Sequence, residues 1–171
     1  MSDMTDLQSL YQELILDHGT CPRNYGCLSG TATGQAEGIN PLCGDKITIY
    51  LRLENDQVKA IQFEGRGCAI SVASASLMTE LFQDKTIGEV KNLWGSFKKI
   101  LGTEPDPRQL EVAAEISIVE AQDKLGKVLA LTGVKAFPAR VKCATLAWHA
   151  ALAALKADQT GAAQMSSVST E

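Results

Sequence analysis

The first apolar pattern along the chain predicts an amphipathic helix. Its apolar side chains recur every three or four residues, as one face of a helix requires, at Leu7, Leu10, Tyr11, Leu14 and Ile15. Thr5 or Asp6 is suited to cap its start, and Gly19 is suited to end it. Residues 20–45 are rich in glycine, proline and asparagine, which predicts a loop with a short strand near residues 31–35.

The clearest alternation of apolar and polar residues follows this loop. Residues 46–54 alternate along "KITIYLRLE", and residues 57–65 alternate again along "QVKAIQFEG". Asn55 and Asp56 between them are typical turn residues. Together the two runs predict an antiparallel hairpin.

From "EGRGC" onward the spacing of apolar residues becomes helical. It predicts one helix after Cys68, a second over residues 86–102 that Gly95 is suited to bend, and a short helix that ends in a loop at Gly133. A long alanine-rich helix then begins at Pro138.

A small sheet followed by a run of helices indicates an α+β fold, here a small antiparallel sheet of about three strands packed against several helices. We expect a single domain over residues 1–157 with a polar insertion at 103–124, whose internal order the sequence leaves open. Residues 158–171 are expected to form a disordered tail.

The length, composition and charge of the chain limit the functions that it can have. The chain has 171 residues, 45% of them hydrophobic, which suits one domain with an ordinary core. Its net charge is −4, and its lysines and arginines are scattered, which argues against nucleic-acid binding. Neither a membrane span nor a signal peptide is recognisable, so we expect a cytoplasmic protein.

The cysteines are the most informative polar positions. There are five of them, an odd number in a chain without an export signal, which favours reduced thiols over a disulfide framework. The plain alternative is that each is a small buried hydrophobic residue. The five are Cys21, Cys27, Cys43, Cys68 and Cys143.

Three of these thiols fall where loops or strands meet helices. Cys43 lies in a turn before the hairpin, and Cys68 opens a helix, where the helix dipole lowers a thiol pKa. Cys143 falls in the second turn of the helix that begins at Pro138, and we expect the neighbouring cations Arg140 and Lys142 to lower its pKa as well.

Cys43 also stands two residues from Asp45 in "GINPLCGDK". A thiolate beside a carboxylate is unfavourable unless a cation attracts both. If Cys68 and Cys143 converge on this pair, the set makes a Cys₃Asp tetrahedron of the kind that zinc accepts. The gaps along the sequence are too wide for a zinc finger, so this hypothesis depends on the fold.

Several segments carry a family resemblance. "NPLCGDKI", "FEGRGCAISVASASLMTE" and "FPARVKCATLAWHA", with the early "LYQELILDHGTCPRN", resemble motifs of the IscU-like iron–sulfur assembly family, which includes the NifU N-terminal domain. The likeness runs from about Leu7 to Leu155. Two features resemble its SufU branch: the insertion at 103–124, and Lys142 before the third cysteine, where the IscU branch has a histidine.

The resemblance implies a function and a ligand set. It implies one zinc bound by Cys43, Asp45, Cys68 and Cys143, with Cys43 accepting sulfur from the cysteine desulfurase SufS, a PLP enzyme. In that family a histidine of the desulfurase replaces Cys43 on the metal. Sulfur then passes to downstream cluster-assembly proteins, so the chain is expected to be a sulfurtransferase-like partner rather than a stand-alone enzyme.

Other interpretations stay open. Arg140 either stabilises the thiolate or persulfide anion or is a solvated cation at a helix start. The same Cys₃Asp set suits a scaffold that assembles a 2Fe–2S or 4Fe–4S cluster. A third alternative is a structural zinc domain without sulfur transfer.

The two histidines and the two remaining cysteines have simpler interpretations. His149 lies six residues after Cys143, which places it roughly 120° around the helix, so we expect a surface or packing role. His18 is interpreted as a helix cap or a partner contact. Cys21 and Cys27 are interpreted as incidental loop thiols, although with His18 they have a spacing that could hold a separate metal.

Overall fold

We describe a computed structural model of the chain at residues 2–103, 118–159 and 166–169. The helices are α1 (Ser2–Thr20), α2 (Ala69–Phe82), α3 (Ile87–Leu101), α4 (Ile118–Leu125) and α5 (Pro138–Gln159), with a 3₁₀ segment at Gly126–Ala136. The strands are β1 (Gly34–Asn40), β2 (Asp45–Glu54), β3 (Gln57–Arg66) and β4 (Ser166–Ser169). None of the helices in these described ranges is long and apolar enough to cross a membrane.

The α+β class is confirmed, and so is the hairpin of β2 and β3, which pair antiparallel. The sheet has four strands in the order β3-β2-β1-β4, and β4 runs parallel to β1. The expected sheet of about three antiparallel strands is therefore extended by a fourth, parallel strand, formed by residues 166–169 of the segment expected to be a disordered tail. Their polar sequence, "SSVS", has no apolar alternation, and backbone pairing along the free edge of β1 decides their conformation.

Helix α1 is longer than its apolar pattern predicts. It begins at Ser2 rather than at Thr5 or Asp6 and ends at Thr20. Leu14 and Ile15 pack against the core, whereas Leu7 and Leu10 are exposed. Among the described residues, the C-terminal half of the predicted apolar stripe is therefore the part that packs against the core.

Helix α3 is continuous through Gly95, so this glycine does not interrupt the helix. Its start is fixed by a capping box, in which Thr86 and Glu89 satisfy each other's backbone N–H groups, and its end by Gly102 in the left-handed conformation. The loop predicted around Gly133 is instead part of the 3₁₀ segment. Most of the predicted insertion, residues 104–117, lies outside the described residues.

The core lies between the sheet and helices α2, α3 and α5. Trp148 is fully buried at its centre, with its ring stacked on Phe97 at a centroid distance of 4.4 Å and edge-on to Phe82 at 5.1 Å. The indole N–H of Trp148 donates a hydrogen bond to Oγ of Ser74, which in turn donates to the carbonyl oxygen of Ala144. These bonds tie α2 to α5 next to Cys143, which directly precedes Ala144.

Candidate metal centre

The turn between β1 and β2 carries Cys43. Asn40 and Asp45 face each other as the last and first residues of the paired strands, and the N–H of Cys43 donates to the carbonyl oxygen of Asn40 at 3.3 Å. Gly44 has a φ of 68°, a left-handed conformation that glycine adopts without strain. The hairpin thus holds Asp45 in the sheet and leaves the Cys43 side chain exposed on the turn.

Asp45 is a buried carboxylate, 1% exposed, with both oxygens engaged. The N–H of Cys68 donates to Oδ1 at 3.0 Å, and the hydroxyl of Ser71 donates to Oδ2 at 2.6 Å. Gly67 makes room for this arrangement, because a Cβ at that position would lie 2.9 Å from Oδ1. The start of α2 therefore fixes the orientation of a carboxylate on β2.

The two helical cysteines approach this carboxylate from different elements. Cys68 is the N-cap residue of α2, and its Sγ lies 4.0 Å from Oδ2 of Asp45. Cys143 is fully buried in α5, and its Sγ lies 3.6 Å from the Sγ of Cys43. One ligand atom from each of Cys43, Asp45 and Cys143 lies within 4.8 Å of the other two. Cys68 falls outside that mutual limit but contacts the trio through Asp45.

The donor types fit zinc, and so does the spacing of the Cys43 and Cys143 sulfurs. A tetrahedral zinc with Zn–S bonds of about 2.3 Å separates two sulfurs by about 3.8 Å. The contact at 3.6 Å between the Cys43 and Cys143 sulfurs is close to that edge length, and the Sγ of Cys68 lies 4.0 Å from Oδ2 of Asp45. Three sulfurs and one carboxylate, which come from the turn, the start of β2, the N-cap of α2 and α5, leave excess negative charge when ionised, and a cation would balance it.

The thiols differ in their readiness to ionise. Burial opposes ionisation of Cys68, but hydrogen bonds from the hydroxyl and N–H of Ser71 outweigh it and lower the pKa of Cys68, as expected from its position. Burial instead raises the pKa of Cys143 well above its usual range, reinforced by hydrogen bonds with Asp45 and Cys43. The expectation that nearby cations would lower the Cys143 pKa is therefore wrong, because desolvation dominates.

Arg140 is exposed and faces the site from the first turn of α5. The charges of the Cys68 and Cys143 sulfurs raise the pKa of its guanidinium. Arg140 therefore stands within electrostatic reach of the helical thiols and is open to solvent. Lys142, two residues further along α5, lines a separate groove of about 530 Å³.

Two residues of the site were not predicted from the sequence. Ser71 contacts both Cys68 and Asp45, and Asn40 is fully buried with its amide nitrogen 3.7 Å from the Sγ of Cys143. The helical spacing of three between Cys68 and Ser71 was an available signal for the first. Asn40 had none, because its contact with Cys143 spans 103 residues of sequence.

The histidines lie away from the thiols. His149 lines the same groove as Lys142 and packs edge-on against Trp94 at 4.9 Å, in agreement with the packing role. His18 is buried, only 1% exposed, and its Nδ1 is 2.7 Å from Oγ of Ser76 on α2. The interpretation of His18 as a cap or partner contact is therefore wrong, because its ring joins α1 to α2 inside the fold.

Cys21 and Cys27 are both exposed. Neither belongs to a group of three or more potential ligands within the described part of the chain, and the nearby His18 ring is committed to Ser76. Cys27 instead lies 3.3 Å from the hydroxyl of Ser29. A separate metal site at His18, Cys21 and Cys27 receives no support from this arrangement.

Comparisons with known proteins agree with this geometry. Residues 10–108 match the family model described as the NifU-like N-terminal domain. The chain is 39% identical to the zinc-dependent sulfurtransferase SufU of Bacillus subtilis, over 88% of this chain and 92% of that one. It is 40% identical to the iron–sulfur cluster assembly scaffold protein IscU of Thermotoga maritima, over 86% and 93% of the two chains.

Solved structures share the fold. The crystal structure of a SufU from Fervidobacterium islandicum, described as an iron–sulfur cluster assembly scaffold protein for the SUF system, superposes with a TM-score of 0.63. The two chains are 32% identical, and the match covers 84% of this chain and 94% of the other. The match to the family model and to these relatives agrees with the site, where cysteines gather around a buried aspartate. The chain therefore belongs to the NifU-like N-terminal domain family, together with proteins named SufU and IscU.

Proposed function

We propose that this chain binds one zinc ion through Cys43, Asp45, Cys68 and Cys143 and accepts sulfur on Cys43 from a SufS-type cysteine desulfurase. The observation that carries the proposal is the unequal exposure of three converging thiols. Cys143 is buried and Cys68 is partly buried, whereas Cys43 is exposed on a turn beside Asp45. A site built only to hold a metal has no need for an accessible thiol.

Bound zinc would keep these thiols as thiolates without redox chemistry of its own. The chain supplies the rest. Helices α2 and α5 hold Cys68 and Cys143, and the bonds from Ser71 and from the Cys68 N–H fix Asp45. Cys43 sits on the turn next to Gly44, where a side chain can move without disturbing a helix or strand.

The proposed transfer is a thiol–persulfide exchange. The Cys43 thiolate attacks the outer sulfur of the desulfurase persulfide, and a new S–S bond forms on Cys43 as the S–S bond of the donor breaks. The donor cysteine leaves as a thiolate, so the exchange needs no added oxidant or reductant. A second exchange of the same kind passes the sulfur to a downstream cluster-assembly protein.

Arg140 is the proposed electrostatic support for this exchange. Its guanidinium is exposed and interacts with the Cys68 and Cys143 sulfurs, and the Cys143 sulfur lies 3.6 Å from the proposed acceptor sulfur of Cys43. A cation there stabilises the extra negative charge of the attacking and departing sulfurs.

Metal analysis and a single substitution test this function. Protein purified anaerobically should contain one zinc per chain and no labile sulfide. Cys43→Ala should stay folded but lose all stimulation of a SufS-type desulfurase. Undiminished stimulation by that variant would refute the role of Cys43.

A cluster scaffold is the second candidate. Three converging thiols suit an iron–sulfur cluster, and the Thermotoga maritima relative is named a scaffold. Lys142, immediately before Cys143, offers no lone pair as an ammonium, so the residue at this position does not add a good ligand. A coloured product containing iron and sulfide, in place of zinc, would favour this candidate.

A further inference from the structure

Asn40 is a buried polar side chain that the proposed transfer does not use. It is fully buried as the last residue of β1, and its Nδ2 lies 3.7 Å from the Sγ of Cys143 on α5. Its Oδ1 is one of the few buried side-chain atoms in the described part of the chain that lack a hydrogen-bond partner. One half of the amide therefore contacts the site, and the other half contacts no donor.

The polarity of this contact is what a thiolate needs. An amide N–H is a donor and the thiolate sulfur an acceptor, whereas the reverse orientation would set a carbonyl oxygen against a negative sulfur. Asn40 is thus oriented to stabilise Cys143 in its charged form.

The unpartnered oxygen indicates that the Asn40 side chain lowers the stability of the folded chain. A buried amide with an unsatisfied oxygen is destabilising, and an apolar residue of the same shape would be neutral or better. Leucine has that shape, since its two methyl groups stand where asparagine has its oxygen and nitrogen. The remaining contribution of the Asn40 side chain is its contact with Cys143.

We propose that Asn40 is a positioning residue for the metal site, whose amide N–H donates to the Sγ of Cys143 and holds that sulfur in place as a ligand, at the expense of the metal-free fold. This inference rests on the proposed zinc site. It also explains why the thiols have different roles. The buried, hydrogen-bonded sulfur of Cys143 stays on the metal, while the exposed Cys43 is free to exchange. The backbone of Asn40, which accepts from the Cys43 N–H, is unaffected by a change of side chain.

The test is Asn40→Leu, measured in two states. Without metal, the variant should unfold at the same or a higher urea concentration than the wild type. Its zinc affinity, from competition with a chromophoric chelator, should fall about 10- to 100-fold, the usual effect of losing an outer-shell hydrogen bond. With Co²⁺ in place of zinc, the sulfur-to-metal charge-transfer band should move to lower energy, because the thiolate loses a hydrogen bond.

Ser96→Ala is the matched control, since Ser96 is another buried residue whose side-chain oxygen lacks a partner, and it lies on α3. It should leave both the zinc affinity and the cobalt spectrum unchanged. If Asn40→Leu does not fold, the zinc affinity of Asn40→Ala decides. A less stable metal-free protein with unchanged zinc affinity would overturn the inference alone. Failure of the wild type to bind zinc would overturn both it and the proposed function.

Discussion

The hydroxyl of Ser71 donates a 2.6 Å hydrogen bond to Oδ2 of Asp45, joining the first turn of α2 to the first residue of β2. Both side chains are buried, and the same hydroxyl lies 3.5 Å from the sulfur of Cys68. One small side chain therefore orients a carboxylate and contacts a thiol. It links two of the four proposed zinc ligands.

Ser71→Ala should lower the free energy of unfolding by about 1 to 3 kcal/mol, because a buried carboxylate oxygen loses its donor. It should also weaken zinc binding, since Asp45 is then held only through Oδ1. Urea unfolding of the metal-free protein measures the first effect, and chelator competition measures the second. Ser96→Ala removes a buried hydroxyl that has no partner, so a similar loss of stability in that control would contradict the role given to the Ser71 bond.

Gly67→Ala should disrupt the same region by a different route. The added Cβ would stand 2.9 Å from Oδ1 of Asp45 and 3.1 Å from Cβ of Ser71, so the carboxylate must shift away from the Cys68 N–H. We expect lower stability and weaker zinc binding. The matched control is Gly95→Ala on the exposed side of α3, where a Cβ meets nothing within 4 Å.

Gly95→Ala should stabilise the protein by about 0.5 to 1 kcal/mol, since alanine is favoured over glycine inside a helix. The prediction is contradicted if both glycine variants shift the urea midpoint in the same direction. Zinc affinity should respond only to the substitution at Gly67.

Stability should fall as the pH drops below about 6.5, the pKa of an unfolded histidine. Burial is the main cause that lowers the pKa of both His18 and His149 in the folded chain. Below pH 6.5 the histidines of the unfolded chain are therefore protonated. Those of the folded chain stay neutral until the pH reaches their own lower pKa values. This contribution to stability is fully present above pH 6.5 and is lost through that window.

Urea unfolding of metal-free protein from pH 5 to pH 8 measures this effect. Each histidine can add a slope of at most about 1.4 kcal/mol per pH unit. His18→Gln should reduce the dependence of the free energy of unfolding on pH, and His149→Gln should reduce another part of it. Comparison of each variant with the wild type isolates the histidine from the thiols, and identical slopes in all three proteins would contradict the assignment.

Much of the fold could be predicted from local patterns, because the patterns were strong. The alternation in residues 46–65 predicted the hairpin, and Pro138 marked the start of α5. Strand β4 could not be predicted, since its pairing depends on the exposed edge of β1 rather than on its own sequence. The start of α1 at Ser2 was not predicted either, because Thr5 and Asp6, which are typical helix-capping residue types, lie inside the helix.

The candidate site, too, was predicted in part. The four proposed ligands stood out by residue type and by position at junctions, and their motifs resembled a family. The supporting contacts did not stand out, because Asn40 and Ser71 act through partners 103 and 26 residues away. The high pKa of Cys143 was also missed, because neighbouring cations in the sequence gave no indication of how deeply the sulfur is buried.

Arg140→Ala should slow the appearance of sulfur on Cys43 while leaving the fold and the zinc content unchanged. The guanidinium is exposed, so little packing is lost, but the persulfide anion loses its nearest proposed cation. Rapid-quench mass spectrometry gives the rate. Lys91→Ala on α3 removes an equally exposed charge away from the site and should transfer at the wild-type rate. Equal rates for the two variants would remove Arg140 from the mechanism.

The central claim is that Cys43 is the sulfur acceptor of a zinc site that also holds Asp45, Cys68 and Cys143. The most direct measurement is peptide mass mapping of the zinc-loaded protein after incubation with a SufS-type cysteine desulfurase and free cysteine. One added sulfur on the Cys43 peptide, absent from the Cys43→Ser variant, is the predicted result. Sulfur found only on another cysteine, or on none while the desulfurase is active, would contradict the account.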